Sequence, residues 1–304
     1  MRVKKLIIKI NATFLPRLSL NGKTIISMRK SNLILAAFFA GLALLLVPGC
    51  EKWFETESAG RLVVTLTDDP FNIDLIESAT VTIERIEVRQ EGLDDTIPFK
   101  TIMEIPVSLD LMDLRNGVTS ELANANLPVG NYDQVRLVTG EATLKIKDGG
   151  LYALKLPSGD QSGIKVNISP PIAIEGGLTS ELLLDIDLSK SFILRGNTSK
   201  PDGIMGVNFK PVVRAVNISY AGSIEGKVTD IIQNILKSAS VIVVRDSVVA
   251  TAFTDASGKY RFIGIPAGTY RMMAAKESYD TLVFEGVKVV AGNVTVRNFS
   301  LKQD

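Results

Sequence analysis

The 304-residue sequence contains no histidine, one cysteine, one tryptophan and few aromatics, 6% in all. Without histidine there is no Ser-His or Cys-His catalysis and no imidazole-ligated metal site. A single cysteine excludes intrachain disulfides and thiolate zinc cages. Sparse aromatics leave little material for the ring platforms of sugar-binding clefts. What remains is apolar enough for real cores, with 46% hydrophobic residues, and long enough for about two domains on a prior of roughly 100–200 residues each.

Charge is unevenly spread. The net charge is +1, yet residues 1–49 hold eight bases (Arg2, Lys4, Lys5, Lys9, Arg17, Lys23, Arg29 and Lys30) and no acid. The other 26 bases face 33 acids, so the body carries −7. A mildly acidic body argues against nucleic acid as a partner.

The one cysteine has a telling position. From Met28 the chain reads MRKSNLILAAFFAGLALLLVPGC. Arg29 and Lys30 form a positive n-region, and Leu33 to Val47 form an apolar core of 15 residues, short for a membrane span. The end of that core, Val47-Pro48-Gly49-Cys50, resembles a bacterial lipobox, with Pro48 departing from the usual small residue. The resemblance implies lipid on Cys50, which becomes the mature N-terminus and the attachment to a membrane. At about 0.8 kcal/mol per buried methylene, two or more acyl chains make a stable anchor. Met28 is the expected true start, with residues 1–27 an extension ahead of the signal. Glu51, where aspartate often marks inner-membrane retention, favours the outer membrane within a bacterial cell envelope. The expected organisation is a leader over 1–49, a linker over 50–59, one β domain over 60–219 and a second over 222–304.

Both domains read as short strands. GRLVVTLTDD and SATVTIERIEVRQ alternate apolar and polar residues as half-buried strands do. NYDQVRLVTGEATLKI, SGIKVNI, SELLLDIDL and MGVNFKPVVRAVNI continue the pattern, punctuated by Gly, Pro, Asn and Asp. LMDLRNGVTSELANAN differs, and a short helix is expected there, capped by Thr119 or Ser120. In the second domain TDASGKYRF reads as a hairpin, with Asp255 bonding the turn backbone and Gly258 taking a positive φ. IPAGTY follows as a turn into a strand, and Pro128 to Tyr132 echoes Pro266 to Tyr270. The fold class is all-β, two antiparallel β-sandwiches in tandem behind a lipoprotein signal peptide.

The blocks TLTDDP, VTIERIEV, LDLMDLRNG, LPVGNYDQVRL, LLLDIDLSKS and FKPVVRAV resemble, in that order, the bacterial domain of unknown function 4382. That family implies an envelope lipoprotein or secreted protein and no catalytic residues. GSIEGKVTD, TDASGKYRF and IPAGTY resemble the carboxypeptidase regulatory-like domain, a transthyretin-like sandwich. This second resemblance implies a rigid folding, spacing or docking module, not a peptidase.

Candidate chemistry is thin. Ser162-Gly163-Ile164-Lys165 matches S-x-x-K, but that motif needs a helical turn, and a strand would point Ser162 and Lys165 to opposite faces. In LLLDIDLSKS, Leu182, Leu184, Ile186 and Leu188 share one strand face, while Asp185, Asp187 and Ser189 share the other at about 7 Å spacing. That second face is either a solvated sheet surface or half of an oxygen-rich cation site, with calcium the suitable ion and Asp160 in the preceding loop a further ligand. Asp187 to Ser191 also fits D-x-S-x-S, a pattern belonging to a different fold. Three triplets starting at Asp95, Asp246 and Asp280 resemble an O-glycosylation acceptor. No acid pair marks a glycosidase. The reading is a non-enzymatic, lipid-anchored envelope protein with a structural or binding role. The alternatives are a surface module for a glycan or envelope partner and, more distantly, a hydrolase using Asp or Glu.

Overall fold

A computed structural model describes residues 58–304, apart from 70–74, 95, 155–162 and 198–199. The leader, Cys50, Asp160 and Ser162 therefore lie outside the described residues.

The first sandwich takes β1 (Ala59–Asp69), β2 (Ile76–Gln90), β3 (Lys100–Met103), β4 (Val107–Asp110), β5 (Ser120–Pro128), β6 (Gly130–Ile146), β7 (Leu151–Leu154), β8 (Ile164–Ile174), β9 (Thr179–Asp187), β10 (Phe192–Gly196), β11 (Ile204–Phe209) and β12 (Val213–Asn217). Its main sheet runs β3, β2, β6, β8, β12, β9, β1, β5, with β4 beside β2 and β7 beside β6. The sheet folds over on itself, so that β3 and β5 at its two ends come into contact. β8 joins the two layers: Ile164 to Asn167 pair with β6, and Ile168 pairs with Ala215 of β12.

Alternation explains the core. Leu62, Val64 and Leu66 of β1 are fully buried, between more exposed neighbours. They meet Ile83, Ile86 and Val88 of β2, Leu137 of β6 and Leu184 of β9 in one cluster. Each such side chain contributes about 1.5–3 kcal/mol by leaving water. β1 lies between β5, which is antiparallel to it, and β9, which is parallel. Strand periodicity does not encode that parallel ladder.

The helix expected after Thr119 is absent. Ser120 to Pro128 is β5, paired with β1 and burying Leu122, Ala123 and Leu127. Helix propensity differences are only fractions of a kcal/mol per residue, and an apolar edge on β1 outweighs them. The local helical turn comes earlier, at Leu111–Leu114, where Asp110 accepts hydrogen bonds from the Met112 and Ala79 amides, both at 3.0 Å.

The second sandwich takes β13 (Ala221–Asp230), β14 (Ser240–Val244), β15 (Val248–Phe253), β16 (Lys259–Pro266), β17 (Gly268–Lys276), β18 (Tyr279–Val289), β19 (Val294–Val296) and β20 (Phe299–Leu301). One sheet is β16, β13, β19 with β20 beside β13; the other is β15, β14, β17, β18. Ile224, Val228, Tyr260, Phe262, Met272 and Phe299 belong to its own core cluster. The hairpin forms as expected: Asp255 Oδ1 accepts from the amides of Ser257 (2.8 Å) and Lys259 (2.9 Å), and Gly258 has φ 74°.

The sandwiches meet through a small third cluster, Leu183, Val216 and Ala221, with Ile218 and Ile263 packed against it. Gly264 has φ 66°, and a Cβ there would lie 2.5 Å from Leu183 Cδ2. Glycine is required at that position both for the backbone and for the close approach.

Candidate functional site

β9 carries the acidic strand predicted to bear the site. Leu182, Leu184, Ile186 and Leu188 all point into the first core, as the pattern required. The opposite face is not a solvated surface. Leu183 is buried in the seam between the sandwiches, and Asp185, only 7% exposed, follows it on the same face. Arg214 of the adjacent strand β12 answers it, with Nη2 donating to Asp185 Oδ2 at 2.5 Å. Burial pushes the Asp185 carboxyl above the usual carboxylate range, and Arg214 pulls it back only in part. Asp185 Oδ1 is buried and accepts no hydrogen bond among the described residues.

Asp187 does a different job. It caps the one-turn helix Leu188–Ser191, accepting the Lys190 amide at 3.0 Å and the Lys190 ammonium at 2.6 Å. Asp185 and Asp187 thus do not form a bare pair: each is matched to a cation of the chain. Ser189 lies in the same helix, and Asp160 falls outside the described residues. Among the described residues, no group of three or more acidic or thiol side chains is arranged to hold a metal. The signal that would have identified Arg214 is the isolated charge in the apolar run KPVVRAV: a guanidinium there needs a buried partner.

Lys165, the lysine of the S-x-x-K match, lies over the Phe99 ring at 5.7 Å. Arg136 (4.4 Å) and Arg89 (5.4 Å) share that ring, so the lysine belongs to a cation–π cluster. The acceptor residues of all three triplets, Thr96, Ser247 and Thr281, are exposed.

Two concave features lie where the loop after Leu111–Leu114 approaches the Asp255 hairpin. One hollow, of about 480 Å³, is lined by Arg115, Asn116, Lys147, Lys237 and Asp255 among others. A second, of about 450 Å³, also touches Asn116 and Asp255 and is lined further by Glu225, Lys227, Lys259 and Arg261. Asn116 has a left-handed backbone, φ 55°, and its Oδ1 is buried with no hydrogen-bond partner among the described residues. Sequence reading passed over both hollows, because their walls bring together segments far apart in the chain: Asn116 of the first sandwich lies beside Asp255 of the second in each.

Residues 59–211 match the domain of unknown function 4382, and residues 223–302 match the carboxypeptidase regulatory-like domain. The chain belongs to the first of these families, and in this chain the sandwich that carries that match is followed by a second sandwich of the regulatory-like type. Comparison with curated proteins finds no match. Among solved structures, the Bacillus anthracis TIE protein is 17% identical, with 81% of this chain and 34% of that one covered at a TM-score of 0.23. This chain thus spans about a third of that protein's length. The minor pilin GBS52 of Streptococcus agalactiae is 9% identical over 81% of this chain and 96% of its own, with TM-score 0.23. The shaft pilin SpaA of Lactobacillus rhamnosus GG is 11% identical over 81% and 98%, with TM-score 0.25. Scores this low carry no argument about role. Among the described residues, no helix is long and apolar enough to cross a membrane.

Proposed function

We propose that this chain is a non-enzymatic protein of the bacterial cell envelope, tethered by lipid on Cys50, in which two docked sandwiches form a stiff structural or binding body. The observation that carries the non-enzymatic reading is the engagement of Asp185 and Asp187: the most conspicuous carboxylates of the sequence hold Arg214 and a helix cap. The sequence of the leader supports the tether, and Glu51 supports outer-membrane sorting.

The test is mass spectrometry of the natively expressed protein. The expected N-terminal peptide begins at Cys50 and carries acyl chains, and Cys50→Ser moves the protein out of the membrane fraction. An unmodified Cys50 still joined to Gly49 rejects the tether. A second reading, a surface module for a glycan, is favoured by the hollows beside Asn116.

A further inference from the structure

The outer face of β2, β6 and β8 carries a cluster of charge of its own. Ile86, Val88, Leu137 and Val166 point into the first core, so Arg85, Glu87, Arg136 and Lys165 stand on the opposite face of the sheet. Three of them form one cross-strand row, with Glu87 paired to Arg136 and Arg136 paired to Lys165. Glu87 is buried, and its two oxygens accept the Nε–H of Arg85, at 2.8 Å, and the Nε–H of Arg136. Phe99, from the connection between β2 and β3, sets its ring against the Arg136 guanidinium at 4.4 Å and within 5.7 Å of the Lys165 ammonium. Arg89 lies over the same ring at 5.4 Å and has an interaction of its own.

An ion-pair cluster that served only the fold would balance its charges. Here, with Arg89 left out, Arg85, Arg136 and Lys165 meet one carboxylate, which leaves two positive charges over. Each guanidinium spends only its Nε–H on Glu87, so the Nη–H groups of both have no acceptor among the described residues. Both side chains also reach solvent, at 36% and 21% exposure. Glu87 on one edge and Phe99 on one face hold Arg136 in place, and its Nη edge is therefore a fork set in advance for a planar pair of oxygens. Lys165 lies over the same ring, so one small anion can touch both. A carboxylate would bring a single negative charge. A phosphate monoester brings about −1.5 to −2 at pH 7 and three acceptor oxygens, which matches both the surplus and the donors. Nucleic acid carries one charge on each diester and would draw a long polyanion against an acidic body. We propose that this face of the first sandwich is a binding site for a phosphate monoester, held by the Nη edge of Arg136 and the ammonium of Lys165, with Arg85 adding charge beside them. The site depends neither on the lipid at Cys50 nor on the glycan reading.

The experiment titrates the full chain, in neutral detergent micelles, with glycerol phosphate by calorimetry. The ester should bind, while acetate and dimethyl phosphate, with one charge each, should bind about tenfold more weakly. Arg136→Lys keeps the charge, removes the fork and should lower affinity about tenfold. Lys165→Gln removes an exposed charge and should lower affinity about threefold with the melting temperature unchanged. If Arg136→Lys melts early, Lys165→Gln decides alone. Lys288→Gln, at an exposed lysine of the second sandwich, should leave the affinity as it is. Phosphatidic acid mixed into the micelles separates the two sources of such an ester: displacement of glycerol phosphate supports a lipid headgroup at the site, and retention supports a soluble phosphorylated molecule. No binding of the ester, acetate bound as tightly, a loss from Lys288→Gln as large as that from Lys165→Gln, or single-stranded DNA bound more tightly than the ester would each overturn the proposal. Acylation at Cys50 is read separately by mass, so failure of this site and failure of the tether are distinguishable.

Discussion

Tyr270 donates its hydroxyl to the carbonyl of Pro266, four residues back, at 2.6 Å, and Tyr132 repeats the bond to Pro128 at 3.1 Å. Both rings are 2% exposed. Gly130 (φ 149°) and Gly268 (φ 157°) sit at the same place in each turn. The echo between the two sequence stretches is therefore a shared device that fastens a turn to the strand it starts. Tyr270→Phe should cost about 1–2 kcal/mol in denaturant unfolding, because the Pro266 carbonyl loses its donor while the ring stays packed. Tyr132→Phe, with the longer bond, should cost less. Equal and negligible losses would show that ring burial alone holds these turns.

Arg214 and Asp185 give a prediction with a pH signature. Arg214→Met leaves a buried carboxylate without its cation and should cost about 3 kcal/mol at neutral pH. Asp185 is already pushed upward by burial, so relative to the unfolded chain the folded state takes up its proton more readily. A carboxyl raised in the folded state adds stability below its unfolded pKa and loses that contribution as pH rises through the folded value. The variant should therefore recover part of its loss on acidification toward pH 4, and Asp185→Asn in the same background should rescue it at neutral pH. Thermal melts across that range check both outcomes; a deficit that stays flat with pH would refute the account.

Glu87 behaves in the opposite way. It is buried on the first sandwich, and burial alone would raise its pKa, but Arg136 and Arg85 donate to its two oxygens, and the net result is a carboxyl held below the usual range. A lowered carboxyl contributes stability above its unfolded pKa, and that contribution is lost as pH falls through the folded value. Glu87→Gln should destabilise by about 1–3 kcal/mol at pH 7 and flatten the decline below about pH 4.5. Wild type and variant declining in parallel would assign the acid sensitivity elsewhere.

The seam offers a test of autonomy. The second sandwich has its own core, and the first touches it through the small cluster around Leu183. A fragment of residues 222–304 should unfold cooperatively by circular dichroism, being above the size at which disulfides become necessary. In the whole chain, Leu183→Ala should cost about 2–4 kcal/mol and separate the calorimetric transitions of the two sandwiches. A random-coil fragment would show that the second sandwich needs the first.

Much of this was legible from residue order. Leu62, Val64 and Leu66 fix the inward face of β1 by period alone, and the Asp255 turn is written in its own side chains. The second face of β9 was not legible. Leu183 and Asp185 look like one apolar and one wet position until another sandwich covers them, and a cover supplied from outside the sheet leaves no mark on the strand's own alternation. β5 was misread for a related reason. Its glutamate, leucine and alanines fit a helix in isolation, and the presence of β1 beside it makes the extended form cheaper. Asn116 became a candidate only once the second sandwich placed its own charges alongside.

β1 is the first strand after residue 58, and it is bonded along both edges, to β5 from Ala59 to Leu66 and to β9 from Arg61 to Asp69. A pull entering from the N-terminal side runs along this strand rather than across it. Two ladders then resist sliding together, whereas an edge strand pulled crosswise would peel one bond at a time. Extracting β1 from its N-terminal end therefore means breaking both ladders, not one.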